Sequence, residues 1–198
     1  MAGLPLRVVV GLGNPGPEHR LTRHNAGFWF VDLLARRHGG EFRDYRKFSG
    51  ETARIGIDGR ELILLKPTTY MNRSGLSIRQ LSDFYKIAPQ DILVAHDELD
   101  LPVGTVRLKQ GGGHGGHNGL RDAIGHIGDA FWRLRLGIGH PGKKAEVIDY
   151  VLTRAPSGEE DLILEAIASA ADCMPLLIER GAERAMTKLH SRAAKGIA

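Results

Sequence analysis

The chain is 198 residues long, with 27 Lys plus Arg against 23 Asp plus Glu, a net charge of +4 and a single Cys, Cys173. A length of this order forms one globular domain, expected here over residues 1–198, without a disulfide staple. One Cys excludes a disulfide framework and a Cys-rich metal site, no apolar run is long enough for a bilayer, and no signal-like segment precedes the first strand, so a cytoplasmic protein without membrane attachment is expected.

Residues 6–12 (LRVVVGL) form a nearly continuous, β-branched apolar run, the pattern of a central strand covered on both faces. The stiff Gly13-Asn14-Pro15-Gly16-Pro17 segment ends it. Asn25 is placed to cap a helix that carries Phe28, Val31, Leu34 and Ala35 at helical spacing. Residues 51–57 and 60–66 flank Asp58-Gly59, a strong hairpin signal. Asn72 or Ser74 starts a helix through Leu76, Ile78, Leu81, Phe84 and Tyr85. Residues 91–96 read as a buried strand that runs into the polar cluster His96-Asp97-Glu98. A short strand over 104–108 enters a glycine-rich loop, and 118–127 predicts a helix with Asn118 as its N-cap. Residues 132–138 alternate as a strand should, with Arg133 and Arg135 on one face. Helices are expected over 145–152, over 159–178 and in a last segment ending at 194. Strands alternating with helices around a hairpin predict an α/β fold: one three-layer domain with a central mixed β-sheet flanked by helices, the C-terminal helices packed near the cleft.

Glycine is the compositional outlier at 26 residues, and twelve of them fall between Gly104 and Gly142. Good hydrophobic periodicity surrounds them, so they read as ordered tight turns around a site. Gly11-Leu12-Gly13-Asn14-Pro15-Gly16 follows the first strand as a dinucleotide-binding turn would. Pro15 and Pro17, however, remove amide donors, no third glycine leads directly into a helix, and no GK[ST] follows; no cofactor is expected. His24, His96, Asp97, His114, His117 and His140 all fall at strand or loop ends, where α/β sheets gather ligands. His114 and His117 lack the spacing of a closed zinc site and Cys173 is remote, so no metal is expected either. A histidine held by a carboxylate suits general-base chemistry near neutrality. Without a G-x-S-x-G elbow an activated water is the simpler attacking species, and Asn amides suit the holding of that water or of an oxyanion.

Five segments, GLGNPGPEHRLTRHNAG, PTTYMNRSG, VAHDELDLPVG, KQGGGHGGHNGLR and RLRLGIGHPG, lie in order over residues 11–142 and closely resemble the motifs of bacterial-type peptidyl-tRNA hydrolases. The resemblance implies cleavage of the ester between a peptide, or an N-blocked aminoacyl group, and the 3′-terminal ribose of tRNA, with neither metal nor cofactor. It implies that His24 is the catalytic base and Asp97 its paired carboxylate. Asn14 and Asn72 correspond to substrate contacts, with Asn72 beside the attacking water. Asn118 corresponds to a residue that positions substrate and water, His117 lines the same cleft, and Met71 forms the apolar wall beside the peptide end. His19 stands where family members often carry a substrate-contacting Tyr, and is expected to preserve that contact. Lys109 and Arg133 match basic residues implicated in binding tRNA phosphates.

Charge is concentrated at the C-terminus. Residues 180–198 hold Arg180, Arg184, Lys188, Arg192 and Lys195 against Glu183 alone, which accounts for the whole net +4. The first four recur every four residues, predicting one basic helix face with Leu177, Met186 and Leu189 turned toward the body. With Lys109, Arg133 and Arg135 near the cleft, the residues Arg184, Lys188 and Arg192 are expected to track phosphates, reading RNA shape rather than bases. Peptidyl-tRNA is the expected partner; no obligate protein partner is expected and the chain reads as a monomer. An RNA-binding module with an unused cleft and a hydrolase of other esters stay open as alternatives. Asp97, Asn118 and Met71 also have plain structural uses, as turn cap, N-cap and core.

Overall fold

The longest apolar runs become the centre of the molecule. A computed structural model describes residues 3–192, less the side chain of Arg192; Lys195 of the basic tail lies outside the described residues. Strand β1 (Val8–Gly11) is buried along its whole length, as an unbroken apolar sequence requires. Helix α1 (Ala26–Arg37) follows, then a short exposed strand β2 (Arg43–Tyr45) that no hydrophobic pattern announces. Strands β3 (Gly50–Ile57) and β4 (Arg60–Pro67) pair as the predicted hairpin. Asp58 and Gly59 both take positive φ, 49° and 76°, the geometry that makes Asp-Gly a two-residue turn. Helix α2 (Ser74–Tyr85), strand β5 (Ile92–Glu98), strand β6 (Val106–Gln110), helix α3 (Asn118–Ile127) and strand β7 (Trp132–Gly137) complete the central part. Helices α4 (Val147–Val151), α5 (Ser157–Arg180) and α6 (Ala182–Arg192) form the C-terminal part.

The seven strands form one sheet in the order β2-β3-β4-β1-β5-β7-β6. β1 lies parallel between β4 and β5, with Val9 opposite Leu64 and Leu93. β7 extends the parallel centre, and the hairpin and β6 add antiparallel flanks, so the sheet is mixed as expected. Alternation along each strand divides the core between two faces. Val8, Val10, Ile63, Leu65, Ile92 and Val94 pack under Ile78 and Leu81 of α2 and Leu120 and Ala123 of α3. Val9, Leu64, Leu93 and Ala95 pack under Phe30, Val31 and Leu34 of α1, with α5 and α6 on the same face. This is the three-layer α/β domain that the sequence pattern predicted.

Three local expectations are corrected. Asn25 precedes α1 but makes no capping bond to it; its amide is used elsewhere. Asn118 is the first residue of α3, and the N-cap is His117, whose ring accepts from the Gly119 and Leu120 amides. The basic stripe from Arg180 to Arg192 does not lie on one helix: Gly181, at φ 88°, ends α5 after Arg180 and reorients the chain into α6. Arg184 and Lys188 are exposed on α6, whereas Ala185 and Leu189 are buried, so the helix is amphipathic as expected. The C-terminal helices also divide their tasks. α5 and α6 cover the sheet, and His190 Nε2 accepts the Leu108 amide at 3.2 Å along β6, an otherwise open edge; only α4 borders the cleft. Cys173 is buried between α5 and α6, its thiol directed to the Ala185 carbonyl and its pKa raised by burial, as suits packing rather than chemistry.

One close approach positions the site. A Cβ at Gly27 would lie 2.4 Å from the Ala95 carbonyl oxygen and 2.5 Å from the Leu12 amide. Glycine there lets the start of α1 rest directly on β1 and β5, which brings the turn before α1 to the end of β5. Gly27→Ala is expected to cost about 1–3 kcal/mol through forced backbone displacement. Chemical denaturation measures this; an unchanged midpoint would mean that α1 shifts freely.

Candidate active site

Chain order reverses around β1: the chain passes to β4 on one side and later to β5 on the other. Such a reversal opens a crevice beyond the carboxyl ends of the strands. There the cleft of about 310 Å³ lies, lined by Asn14 after β1, His24 before α1, Asp97 and Glu98 at the end of β5, and His114 to Asn118 of the glycine-rich loop. Tyr70, Met71 and Asn72 form a second side, and Val147, Ile148 and Val151 of α4 with Leu152 just after it a third.

At its centre one carboxylate serves two imidazoles. Asp97, 3% exposed, accepts from His24 Nδ1 at 2.9 Å through Oδ2 and 3.0 Å through Oδ1, and from His117 Nε2 at 2.8 Å through Oδ1. The tautomers follow from the surroundings. His117 Nδ1 accepts the Gly119 and Leu120 amides at 3.1 and 3.3 Å, so its proton resides on Nε2, facing Asp97. His24 likewise places its Nδ1 proton on Asp97, leaving Nε2 as the free, basic nitrogen. Burial opposes charge on His24, yet the Asp97 charge and hydrogen bond outweigh it and hold its pKa above the usual 6.5. Burial likewise opposes charge on Asp97; the two histidines outweigh it and keep the carboxyl well below the ordinary carboxylate range. His96 behaves oppositely. Burial, aided by the neighbouring His117 and Arg133, pushes it down to about 3, against its bond to the Asp97 carbonyl and the Asp97 charge. It remains uncharged, with its ring edge-on to His117 at 5.1 Å.

The amide side chains are held with comparable care. Asn25, adjacent to His24, grips both backbone polar groups of Asn14 at 2.8 and 2.9 Å. Asn14 Oδ1 accepts the Met71 amide at 2.7 Å, leaving its side-chain NH₂ as the donor available to the cleft. Met71 is buried, and its sulfur occupies the space where a side chain at 119 would stand, 2.5 Å from a Cβ built on Gly119. Asn72 and Asn118 are exposed at the rim, with Asn118 Oδ1 accepting from Arg121 at 3.2 Å. The ligating atoms of His24, Asp97 and His117 lie within 4.8 Å of one another, close enough for one cation. In this arrangement their nitrogens already face the carboxylate directly, and the other His117 nitrogen serves α3.

Other expected site residues stand apart. His19 lies in the turn Pro17–His19 beside Glu18 at 3.7 Å, outside the residues that line the cleft. Arg133 is 3% exposed and donates to the Gly112 and Gly113 carbonyls. It anchors the glycine-rich loop rather than presenting a charge to phosphate. Arg135, on the same face of β7, pairs with Glu98 at 2.9 Å. Lys109 is exposed on β6, and Arg184 and Lys188 are exposed on α6 next to that strand. The described part of Arg192 is its backbone at the end of α6. Sequence reasoning missed Asn25 as the clamp on Asn14 and His117 as a second partner of Asp97, and did not single out α4 among the C-terminal helices expected near the cleft. The adjacency of Asn25 to His24 was the only available signal among these.

The profile of the peptidyl-tRNA hydrolase family matches residues 8–196. A peptidyl-tRNA hydrolase of Tolumonas auensis is 53% identical over 189 residues, covering 94% of this chain and 96% of the relative. One of Aeromonas hydrophila is 53% identical over 188 residues, covering 94% and 95%. A crystal structure of peptidyl-tRNA hydrolase from Acinetobacter baumannii superposes with a TM-score of 0.92 at 51% identity, covering 96% of each chain. Agreement of this depth, in sequence and in backbone and over nearly the full length of both partners, makes the chain a member of the bacterial-type peptidyl-tRNA hydrolase family.

Proposed function

We propose that the chain hydrolyses the ester linking a peptide, or an N-blocked aminoacyl group, to the 3′-terminal ribose of tRNA, using a water activated by His24. The observation that carries this reading is the His24–Asp97 pair at 2.9 Å inside a cleft ringed by three Asn side chains. His24 Nε2 takes a proton from the water, and the resulting hydroxide attacks the ester carbonyl. Asn72 and Asn118 hold the water and donate to the oxygen that gains charge, while Asn14 donates to the last peptide unit. Collapse of the tetrahedral intermediate expels the ribose oxygen, which receives the proton that His24 carries. Met71 contributes the apolar floor, and His117 holds Asp97 from its second side. An ester is reactive enough for a positioned base and a few donors to suffice. The deciding assay is release of N-acetyl-aminoacyl groups from tRNA with a chelator present: turnover supports the reading, and dependence on added metal would redirect it to the His24, Asp97 and His117 cluster.

The RNA side of the proposal rests on Lys109, Arg184 and Lys188, exposed cations on β6 and its neighbour α6. Arg184→Gln with Lys188→Gln is expected to raise KM for the tRNA substrate and leave kcat unchanged. Each phosphate left without its cation should flatten the slope of log KM against log salt by roughly 0.7–0.9. Hydrolysis of a short N-blocked ester should be unaffected. An unaltered salt slope would place the RNA on another face.

A further inference from the structure

Arg23, the residue before His24, is only 5% exposed. A guanidinium is costly to bury unless its donors are matched, and here nearly every match comes from one segment. Nη1 donates to the carbonyls of Tyr150, Thr153 and Arg154 at 3.1, 3.2 and 3.5 Å. Nη2 reaches Glu159 at 3.4 Å, and the guanidinium lies 4.0 Å over the ring of Tyr150. The Arg23 backbone amide adds a bond to Thr153 at 3.2 Å, and Thr22 bridges to Arg154. Tyr150 is tied down at its far end, its hydroxyl donating to the Ile138 carbonyl at 2.5 Å.

The carbonyls that Arg23 meets, those of Tyr150, Thr153 and Arg154, lie at or just beyond the C-terminus of α4. That helix has five residues, too few to persist alone in water. A cation at its C-terminal carbonyls satisfies them and complements the helix dipole. α4 is also the apolar wall of the cleft: Val147, Ile148, Val151 and Leu152 face it, and Ile148 is 70% exposed. Exposed aliphatic surface opposite His24 and the Asn side chains suits the acyl half of an ester rather than its ribose or phosphates.

We infer that Arg23 is a positioning residue: it holds the α4 wall at a set distance from the turn that carries His24, and so determines how the acyl part of the substrate is bound. The assignment of that substrate rests on the function proposed above, whereas the coupling of Arg23 to α4 does not. Only arginine meets these demands together. Its planar fork spans several carbonyls while its face stacks on Tyr150, and lysine offers a single point charge.

The test joins steady-state kinetics on peptidyl-tRNA with hydrogen exchange of the substrate-free protein. Arg23→Met keeps the stem and removes the charge and donors. It is expected to raise KM for peptidyl-tRNA by roughly tenfold with little change in kcat, because the wall is displaced and the base is not. Amides of residues 147–154 should lose protection while those of β1 and β5 keep theirs. Arg23→Lys should fall between the two and serves as the reporter if Arg23→Met does not fold. Unchanged protection of 147–154 overturns the coupling. A fall in kcat at constant KM overturns the assigned role and places the effect on His24. If the unaltered protein fails to release peptide from tRNA, the functional reading fails, and exchange alone still decides whether Arg23 holds α4.

Discussion

Replacing His24 with alanine is expected to lower kcat on N-acetyl-aminoacyl-tRNA by about 10²–10⁴-fold, the usual contribution of a positioned general base. KM should change little. The residues proposed to bind RNA are cations on β6 and α6, and none of them touches His24. Folding should survive as well, because Asp97 keeps His117 as a hydrogen-bonded partner at 2.8 Å and is not left buried without a donor. Steady-state kinetics with chelator present, beside a thermal melt, separates these effects. Retention of most of the turnover would remove His24 from the mechanism.

Asp97→Asn should be nearly as damaging, for a reason particular to this cleft. His24 Nδ1 faces both carboxylate oxygens, Oδ2 at 2.9 Å and Oδ1 at 3.0 Å, while His117 Nε2 binds Oδ1 at 2.8 Å, and an amide has only one oxygen to offer the two imidazoles. His117 cannot change its tautomer cheaply, since its Nδ1 is held by the amides at the start of α3. The oxygen of the substituted amide would therefore turn to His117 and its NH₂ to His24. That moves the His24 proton onto Nε2, the nitrogen that must be free to act as a base. A loss of about 10²–10⁴-fold in kcat is expected, comparable with carboxylate-to-amide changes in other histidine-based hydrolases. The pH profile supplies an independent check. The base acts unprotonated, so the acid limb of kcat/KM should have its midpoint above 6.5 in the unaltered enzyme, where Asp97 raises the His24 pKa. Removing that charge leaves only the opposing effect of burial, and the midpoint should move down. A midpoint that stays in place would show that Asp97 does not govern His24.

The behaviour of particular residues shows how far local pattern reaches. The β1 run, the Asp58-Gly59 hairpin and the helical spacing of α1 and α2 each carry their own period, and each formed as read. Short-range chemistry also marked His96-Asp97-Glu98 as a polar cluster closing an apolar strand. Other features have no local signature. Asn25 looks like a helix cap in sequence, but its amide is taken by Asn14, eleven residues away. Asn118 fits the N-cap preference as well as any residue does, yet the adjacent imidazole holds the position because it also reaches Asp97.

The same limit applies to charge. Arg133 and Arg135 lie on one face of a strand, and the alternating pattern states no more than that. Burial beneath the glycine-rich loop commits the first to carbonyls, and Glu98 claims the second. The run of basic residues from Arg180 to Arg192 has perfect four-residue spacing, but Gly181 breaks the helix and places Arg180 on a different axis. Hydrophobic period and turn chemistry act between near neighbours, so element types, sheet class and the family motifs can be read along the chain. Tautomers, the sharing of Asp97, the Arg23 strut and the α4 wall depend on groups distant in sequence that meet only when β1, β5 and α1 close on one another at Gly27. Hydrogen-bond competition is settled there, in three dimensions, because partners are few inside a closed cleft and a buried polar group without one is costly.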